Sequence, residues 1–312
     1  MLALFLGAGF SNWATNLPVA SGLFDFNIQP WTRESKKLDR VKELKREWDT
    51  LHPQGQAEQF ITDALNFQEK DKKLVLWYIV RRLSEPFIWE EFHAQRMRRH
   101  ILEIDENRKY GIDGVINARG FLDKFLSILN GIVTTNYDLL IEYALGTKRF
   151  NYGIVNEVLT GRGSYPVSQW LHPVQLKGNI QLAKIHGSIS WDENHRYTDG
   201  RRGLTSNALI VAPTPEKERP NSLSLTWEVA EEVLTKTTRL IVFGFGFSPY
   251  DSAVLDLLKS KGNKLESVLI IDINPNIKIA KSLWPNAKIT SSMPPPMGSK
   301  TINKWCQKWL TN

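Results

Sequence analysis

Leu2-Ala3-Leu4-Phe5-Leu6-Gly7-Ala8-Gly9-Phe10-Ser11 is the stretch on which the fold turns. Five apolar residues in a row, with no polar alternation, suit a strand covered on both faces. The glycines that follow let the chain turn sharply and let the backbone approach a pyrophosphate, whose charge is favoured at the N-terminus of a following helix. The third glycine of the usual dinucleotide fingerprint is missing, since Asn12 stands in its place. The turn is therefore equally compatible with a structural tight bend. A secretory core is a poorer reading of 1–6, because no basic residue precedes the run and the glycine turn ends it at once.

Reading outward, the same pattern recurs. Strands are expected at 2–6, 131–135, 182–185, 208–211, 239–243, 267–271 and 287–290, each rich in Val, Ile, Leu or Ala. Helical patterns fall at 137–145, 227–234, 252–258 and 277–283. A Pro/Met turn follows at 291–298, and 301–309 reads as a short terminal helix anchored by Ile302, Trp305 and Trp309. This alternation predicts an α/β fold: a Rossmann-like, mostly parallel sheet with helices on both faces. Residues 31–129 differ in character, being rich in Lys, Glu and Arg with apolar residues three and four apart. Leu74, Trp77 and Tyr78, then Phe92, Met97, Ile101 and Ile104, mark amphipathic helices there. The expected organisation is a nucleotide-binding domain of 1–30 and 130–312, with a helical insertion at 31–129 between its first and second strands.

Bulk composition narrows the function classes. The chain has 312 residues, 42% hydrophobic and 23% charged, as in an ordinary globular protein. No apolar run approaches the ~18–20 residues needed to span a bilayer, so no membrane role and a cytoplasmic location are expected. Cys306 is the single cysteine, which excludes an internal disulfide and a cysteine-built zinc ribbon; no metal is expected. A formal charge of +7, from 40 Lys and Arg against 33 Asp and Glu, favours anionic partners such as nucleotides or nucleic acid.

Function is concentrated where the apolar runs end, because ligands of open α/β sheets bind at the carboxyl ends of the strands. Besides Gly7-Ala8-Gly9-Phe10-Ser11, these ends are Thr134-Thr135-Asn136-Tyr137-Asp138, His186-Gly187-Ser188, Gly244-Phe245-Gly246-Phe247-Ser248 and Asp272-Ile273-Asn274-Pro275. In a parallel sheet all five gather on one rim. Asn136 and Asp138 also suit capping of the helix that follows them, and a lone His186 also suits a structural role. Separate capping and packing needs would not bring all five to one rim.

The ordered set resembles the sirtuin superfamily, specifically the SIR2-like domains of bacterial antiviral defence systems. The resemblance runs through Gly7-Ala8-Gly9-Phe10-Ser11, Leu17-Pro18, Thr135-Asn136-Tyr137-Asp138, His186-Gly187-Ser188, Gly244-Phe245-Gly246-Phe247-Ser248-Pro249-Tyr250-Asp251 and Asp272-Ile273-Asn274-Pro275. Departures accompany it: no four-cysteine zinc module, Val19-Ala20-Ser21 where an Arg is usual, and Gly246 where Ser is common. The zinc module helps to shape an acyl-lysine channel, so the resemblance implies an NAD⁺ hydrolase releasing nicotinamide and ADP-ribose rather than a lysine deacylase.

On that resemblance, Asn136 orients water and touches the ribose hydroxyls, His186 is the base, and Asp138 holds the loop or the carboxamide. Ser11 with the amides of Ala8 to Phe10 cradles phosphate beside Gly7, Gly9 and Thr135. Gly244, Gly246 and Ser248 serve the adenosine side, with Asp272 or Asn274 on its ribose. A toxic NAD⁺ hydrolase of an abortive-infection system must be gated. The resemblance therefore also implies a homo-oligomer and a sensor in trans, such as a HerA-type ATPase or a nucleotide-sensing subunit, with the Trp-bearing helical insertion as the contact surface. The alternatives are a deacylase, a non-catalytic NAD⁺ or ADP-ribose sensor, and a nucleic-acid module. The last would use Lys70, Lys72, Lys73, Arg81, Arg82, Arg96, Arg98, Arg99 and His100 near Trp77, Tyr78 and Trp89.

Overall fold

A computed structural model describes residues 1–28, 34–93, 113–146, 148–153, 157–161, 171–192, 208–211 and 219–310. Its strands are β1 (Leu2–Leu6), β2 (Leu129–Thr134), β3 (Phe150–Asn151), β4 (Glu157–Gly161), β5 (Leu171–Gln175), β6 (Ile180–Lys184), β7 (Gly187–Asp192), β8 (Ala208–Ile210), β9 (Arg239–Phe243), β10 (Ser267–Ile271) and β11 (Lys288–Ser292). Its helices are α1 (Ala8–Thr15), α2 (Ser35–Leu51), α3 (Ala57–Ala64), α4 (Glu69–His93), α5 (Asp113–Leu122), α6 (Leu140–Leu145), α7 (Ser224–Thr235), α8 (Ser252–Lys261), α9 (Ile277–Leu283) and α10 (Ser299–Leu310).

Seven strands form one sheet in the order β11-β10-β9-β1-β2-β6-β3, and every pairing within it is parallel. The amino-terminal strand is the central one. All five residues of β1 are buried, as both faces of a parallel sheet must be covered by helices. On one side α1, α5, α6 and α10 pack together, and α7, α8 and α9 form a second layer. Each fully buried Leu or Phe of β1 contributes about 1.5–3 kcal/mol. From β1 the chain moves outward to β2 and the edge strand β3, fills the place between them with β6, then returns to the other side for β9, β10 and β11. The direction therefore reverses beside β1, which opens a crevice at the carboxyl ends of β1 and β9.

The register makes this crevice a single line. Lys184, Thr134, Leu6, Phe243, Ile271 and Ser292 lie side by side across β6, β2, β1, β9, β10 and β11. Each strand exit therefore starts at the same height.

One strand expected for the parallel sheet is elsewhere. Ala208–Ile210 does form a strand, but it pairs antiparallel with β7 in a separate two-stranded sheet. Gly187, at φ +85°, turns the chain out of the parallel sheet directly after β6, and a Cβ there would lie 2.0 Å from the Leu209 carbonyl oxygen.

The helices α2, α3 and α4 build a second core. Leu38, Val41, Leu44 and Trp48 line one face of α2 and join Phe60 and Ile61 of α3 and Val75 to Val80 of α4. This core meets the sheet domain through Leu139, Ile189, Ala208 and Ile210. Helix α5, also within 31–129, packs instead in the sheet domain's core through Val115, Ala118, Phe121 and Leu122.

Burial also removes part of the surface expected on the insertion. Trp77 and Tyr78 are core residues, Arg81 is buried, and Arg82 pairs with Asp25 at 3.0 Å. Lys72 and Lys73 approach Glu69 at 4.0 and 3.1 Å. A nucleic-acid surface would need those aromatic rings in solvent for stacking, so Trp77 and Tyr78 cannot serve it as placed. The side chains of Trp89 and Phe92, and Met97, Ile101, Ile104, Arg96, Arg98, Arg99 and His100, lie outside the described residues. No described helix is long and apolar enough to cross a membrane.

The turns after β1 and β9 lie backbone against backbone. A Cβ on Gly7 would sit 2.5 Å from the Gly244 carbonyl oxygen, and one on Gly9 2.6 Å from the Gly244 Cα. Gly244 itself has φ +67°, with Phe10 N only 2.3 Å from where its Cβ would be. Gly246 has open space around it. Gly244→Ala is expected to lower unfolding stability by about 2–4 kcal/mol. Gly246→Ala should stay within about 1 kcal/mol of the parent. Urea denaturation of the two variants checks both values.

Candidate functional site

The five strand-end segments surround one cavity of about 760 Å³, within the ~300–1,000 Å³ typical of small-molecule sites. Of the residues singled out in the sequence, Ala8, Gly9, Ser11, Thr135, Asn136, Asp138, His186, Gly244, Gly246, Ser248 and Asp272 line it. Gly7, Phe10 and Asn274 do not. Gly7 packs against Gly244, Phe10 is fully buried among Trp13, Phe121 and Phe243, and Asn274 is exposed. Asp272 faces the cavity while its Oδ1 accepts the Asn274 amide at 2.9 Å. Ser248 accepts the Tyr250 amide at 3.2 Å.

The helix that follows the first glycine turn offers fewer free amides than the sequence suggests. Gly7 N–H donates to Phe243 O, Gly9 N–H to Gly244 O, and Phe10 N–H to Gly7 O, each at 2.9 Å. Only the Ala8 amide, among the first three of α1, is left for a ligand. The expected cradle of Ala8 to Phe10 amides is thus reduced, because two of them hold the glycine turns together. Ser11 is engaged as well. Its hydroxyl donates to Asp138 Oδ2 at 2.8 Å and accepts from Asn136 Nδ2 at 3.0 Å.

Asn136 is the end of this relay nearest the cavity. Its Nδ2 also donates to the Gly7 carbonyl at 2.9 Å. A carbonyl can only accept, which fixes the orientation of the amide. Both donor hydrogens are therefore occupied, and the expected double use of Asn136 toward a ligand narrows to its acceptor. That acceptor, Oδ1, is buried and has no partner. A buried polar atom in this state costs about 1–3 kcal/mol until a donor arrives. A hydroxyl or a water entering the cavity supplies one. Asp138 fulfils the capping role, since its Oδ1 accepts the Leu140 amide at 2.9 Å at the start of α6.

His186 enters from the opposite side, on the turn between β6 and β7. Its carbonyl accepts the Val211 amide at 2.9 Å, and Trp227 Nε1 donates to the neighbouring Ile185 carbonyl at 2.9 Å. Burial pushes the imidazole down to about 4, so the ring is neutral near pH 7. Asp251 approaches Nε2 at 3.4 Å. Burial, followed by the charge of Glu58, pushes the Asp251 carboxyl up to about 7. Tyr137 lies beside them and donates its hydroxyl to the Val211 carbonyl at 3.0 Å. Burial and then the charges of Asp251 and Glu58 raise its phenol further, so it stays protonated.

Three features escape the sequence reading. Glu58 and Ile61 of α3 and Leu83 of α4 bring the helical insertion into the cavity wall. The 293–297 segment, read as a plain turn, forms another wall, held by Trp13 Nε1 donating to the Pro295 carbonyl at 2.8 Å. Asp251 stood in a quoted motif without a role, although its position three residues after Ser248 was a usable signal. Glu58 had none, since it looks like any polar residue of an amphipathic helix. Among the described lining residues, Glu58, Asp138, Asp251 and Asp272 carry acid groups, and none is Lys or Arg. No group of three or more His, Cys, Asp or Glu suited to a metal occurs among the described residues.

Comparison with known proteins gives one family match. Residues 130–284 match the family model described as a SIR2-like domain. Three similar solved structures concern Sir2 proteins. A Sir2 homolog–NAD complex is 13% identical, with 99% of this chain and 89% of that chain covered and a TM-score of 0.43. Sir2Tm bound to a propionylated peptide is 12% identical, with 100% and 94% covered and a TM-score of 0.39. A structure concerned with the mechanism and regulation of Sir2 enzymes is 13% identical, with 99% and 92% covered and a TM-score of 0.40. No curated protein matches the chain.

Beneath the site, Lys184 and Glu142 form a buried ion pair at 3.0 Å, and Tyr152 donates its hydroxyl to the same Glu142 Oε1 at 3.0 Å. Lys184 Nζ also donates to the Asp138 carbonyl. One ammonium thus ties the strand that carries His186 to the loop that carries Asn136 and Asp138. Lys184→Met leaves Glu142 buried without its cation and should cost about 3–5 kcal/mol. Lys184→Met combined with Glu142→Gln should recover most of that loss. Chemical denaturation of the single and double variants gives the comparison.

Proposed function

Because the chain carries a SIR2-like domain over residues 130–284, we propose that its cavity binds NAD⁺ and hydrolyses it to nicotinamide and ADP-ribose. One observation carries the reading: the unpartnered acceptor of Asn136 and the neutral imidazole of His186 face one cavity at the reversal point of a parallel sheet. The single cysteine argues against a zinc-shaped acyl-peptide channel.

The chemistry asks for few groups. Breaking the bond between the nicotinamide nitrogen and the ribose sends the electron pair to nicotinamide and builds positive charge at the anomeric carbon. Carboxylates placed in advance stabilise that charge without reorganising, and the wall supplies Glu58, Asp138 and Asp251. Asn136 Oδ1 accepts from a ribose hydroxyl or from the water that adds to the sugar. His186 takes the proton that this water loses. With no Lys or Arg among the described lining residues, the phosphates rely on the Ala8 amide at the α1 N-terminus and on neutral donors such as the Ser248 hydroxyl.

Unrestrained hydrolysis would empty a cell of NAD⁺, so the reading carries restraint with it. Self-association and a partner protein in trans, in the setting of an anti-phage abortive-infection system, are the forms proposed. A purified chain that is monomeric and fully active alone would refute that restraint.

Incubation of the purified chain with NAD⁺, with and without the product of its neighbouring gene, tests the activity by chromatography. Nicotinamide and ADP-ribose in equal amounts are expected without any acyl-peptide. Release that depends on an added acyl-peptide would instead indicate a deacylase, and tight binding without release in every assembly state a sensor. His186→Ala and Asn136→Ala should each lower turnover by roughly 10²–10⁴-fold with the fold intact. A loss of less than about threefold in both would remove these residues from the chemistry.

A further inference from the structure

Asp251 occupies the N-cap position of α8, where an aspartate normally accepts an amide of the first helical turn. Its side chain makes no such bond. It turns instead toward His186, with Oδ1 3.4 Å from Nε2, and that oxygen is buried with no hydrogen bond of its own. The helical run is already capped at its start by Ser248, whose side chain accepts the Tyr250 amide, so Asp251 is free to turn inward. Leaving a buried carboxyl oxygen without a hydrogen bond is unfavourable for folding alone. Contacts of this length around catalytic groups tighten when a substrate closes the site.

We propose that Asp251 is the positioning residue for His186: its carboxylate holds the Nε2–H side of the imidazole and leaves Nδ1 as the proton-accepting nitrogen, with Glu58 of the helical insertion acting on that carboxyl through space. The inference rests on the hydrolase reading for its kinetic consequences, whereas the contact between Asp251 and His186 acts on the imidazole whether or not the chain turns over NAD⁺.

The groups facing Asp251 are His186 from the turn after β6, Tyr137 from the loop after β2 and Glu58 from α3. Tyr137 stays neutral, so among the described residues Glu58 is the facing charge that acts on Asp251. Below about 7 the carboxyl is protonated, donates to Nε2 and forces the ring proton onto Nδ1, the wrong tautomer for a base at that atom. Above about 7 the carboxylate accepts from Nε2–H, and Nδ1 presents its lone pair. During the reaction water adds its oxygen to the sugar, its proton passes to Nδ1, and the imidazolium is held by the ionised Asp251 until the proton returns to solvent. The acid limb of activity then reports Asp251, near 7, rather than the imidazole, near 4.

Asp251→Asn keeps the shape but offers an amide to Nε2, which imposes the wrong tautomer. Its kcat should fall roughly 10²–10⁴-fold with KM changed little, as when a histidine's carboxylate partner is replaced by an amide elsewhere. Its melting temperature should hold or rise, because no cap is lost and a buried carboxyl is removed. Glu58→Gln removes the facing negative charge and should move the acid limb of the remaining activity to lower pH, a shift that a merely structural role would not give. Long-range ¹H–¹⁵N spectra of the His186 ring read the tautomer without any turnover. Nε2–H is expected at pH 8 in the parent chain, and Nδ1–H in Asp251→Asn. The same tautomer in both proteins, or an unchanged kcat and acid limb in Asp251→Asn, would overturn the proposal. Absence of nicotinamide release from the parent chain would count against the hydrolase reading instead, and the spectra would still decide the role of Asp251.

Discussion

Two strand exits held backbone to backbone are the constraint from which the site follows. β1 and β9 are neighbours in register, with Leu6 beside Phe243. Their turns touch through Gly7, Gly9 and Gly244 at distances that leave no room for a Cβ. With Gly7 so fixed, the pairing of β1 with β2, Leu6 beside Thr134, places Asn136 where its amide reaches the Gly7 carbonyl, and Ser11 lies between Asn136 and Asp138. The glycines of the first turn therefore serve the protein's own backbone contact before they serve any phosphate.

Much of the architecture could be read locally, because strands of a parallel sheet are short, wholly apolar and bounded by turns. The runs at 2–6, 239–243 and 267–271 and the helix at 277–283 coincide with β1, β9, β10 and α9. The gathering of strand ends on one rim followed from parallel pairing alone. What could not be read was decided by bonds between distant segments. Asn136 bonds to Gly7 and Ser11 across more than a hundred residues, and nothing near Asn136 signals that its donors are taken. The same holds for 208–211, whose β-forming sequence is real but whose partner is chosen by the positive φ of Gly187.

The insertion is less separate from the site than its composition suggests. α2, α3 and α4 have their own core, yet that core includes Leu139 from the loop before α6 and Ile189 and Ile210 from the β7–β8 pair. Glu58, Ile61 and Leu83 complete the cavity wall. The boundary drawn by charge and periodicity at 31–129 therefore does not follow the packing, since α5 lies in the sheet core and Leu17, Leu23 and Ile28 lie in the helical one. Helices that close over a strand-end crevice exclude water from it, and water exclusion is what gives a few fixed dipoles and carboxylates their strength.

The balance of charge gives this closure its chemical meaning. The whole chain is basic by seven formal charges, while the described cavity wall holds four carboxylates and no Lys or Arg. Burying a carboxylate, and setting another beside it, are both unfavourable in the absence of positive charge; burial first and the charge of Glu58 second make Asp251 hold its proton up to about 7. A protein selected for stability alone would neutralise such a wall or pair it, as it does for Glu142 with Lys184 a short distance beneath. The contrast between a paired ion below the site and acids without a Lys or Arg partner among the described lining residues supports the proposed function, in which positive charge arrives or develops in the cavity. A pyridinium ring losing its bond to ribose meets that description at the carbon where the bond breaks.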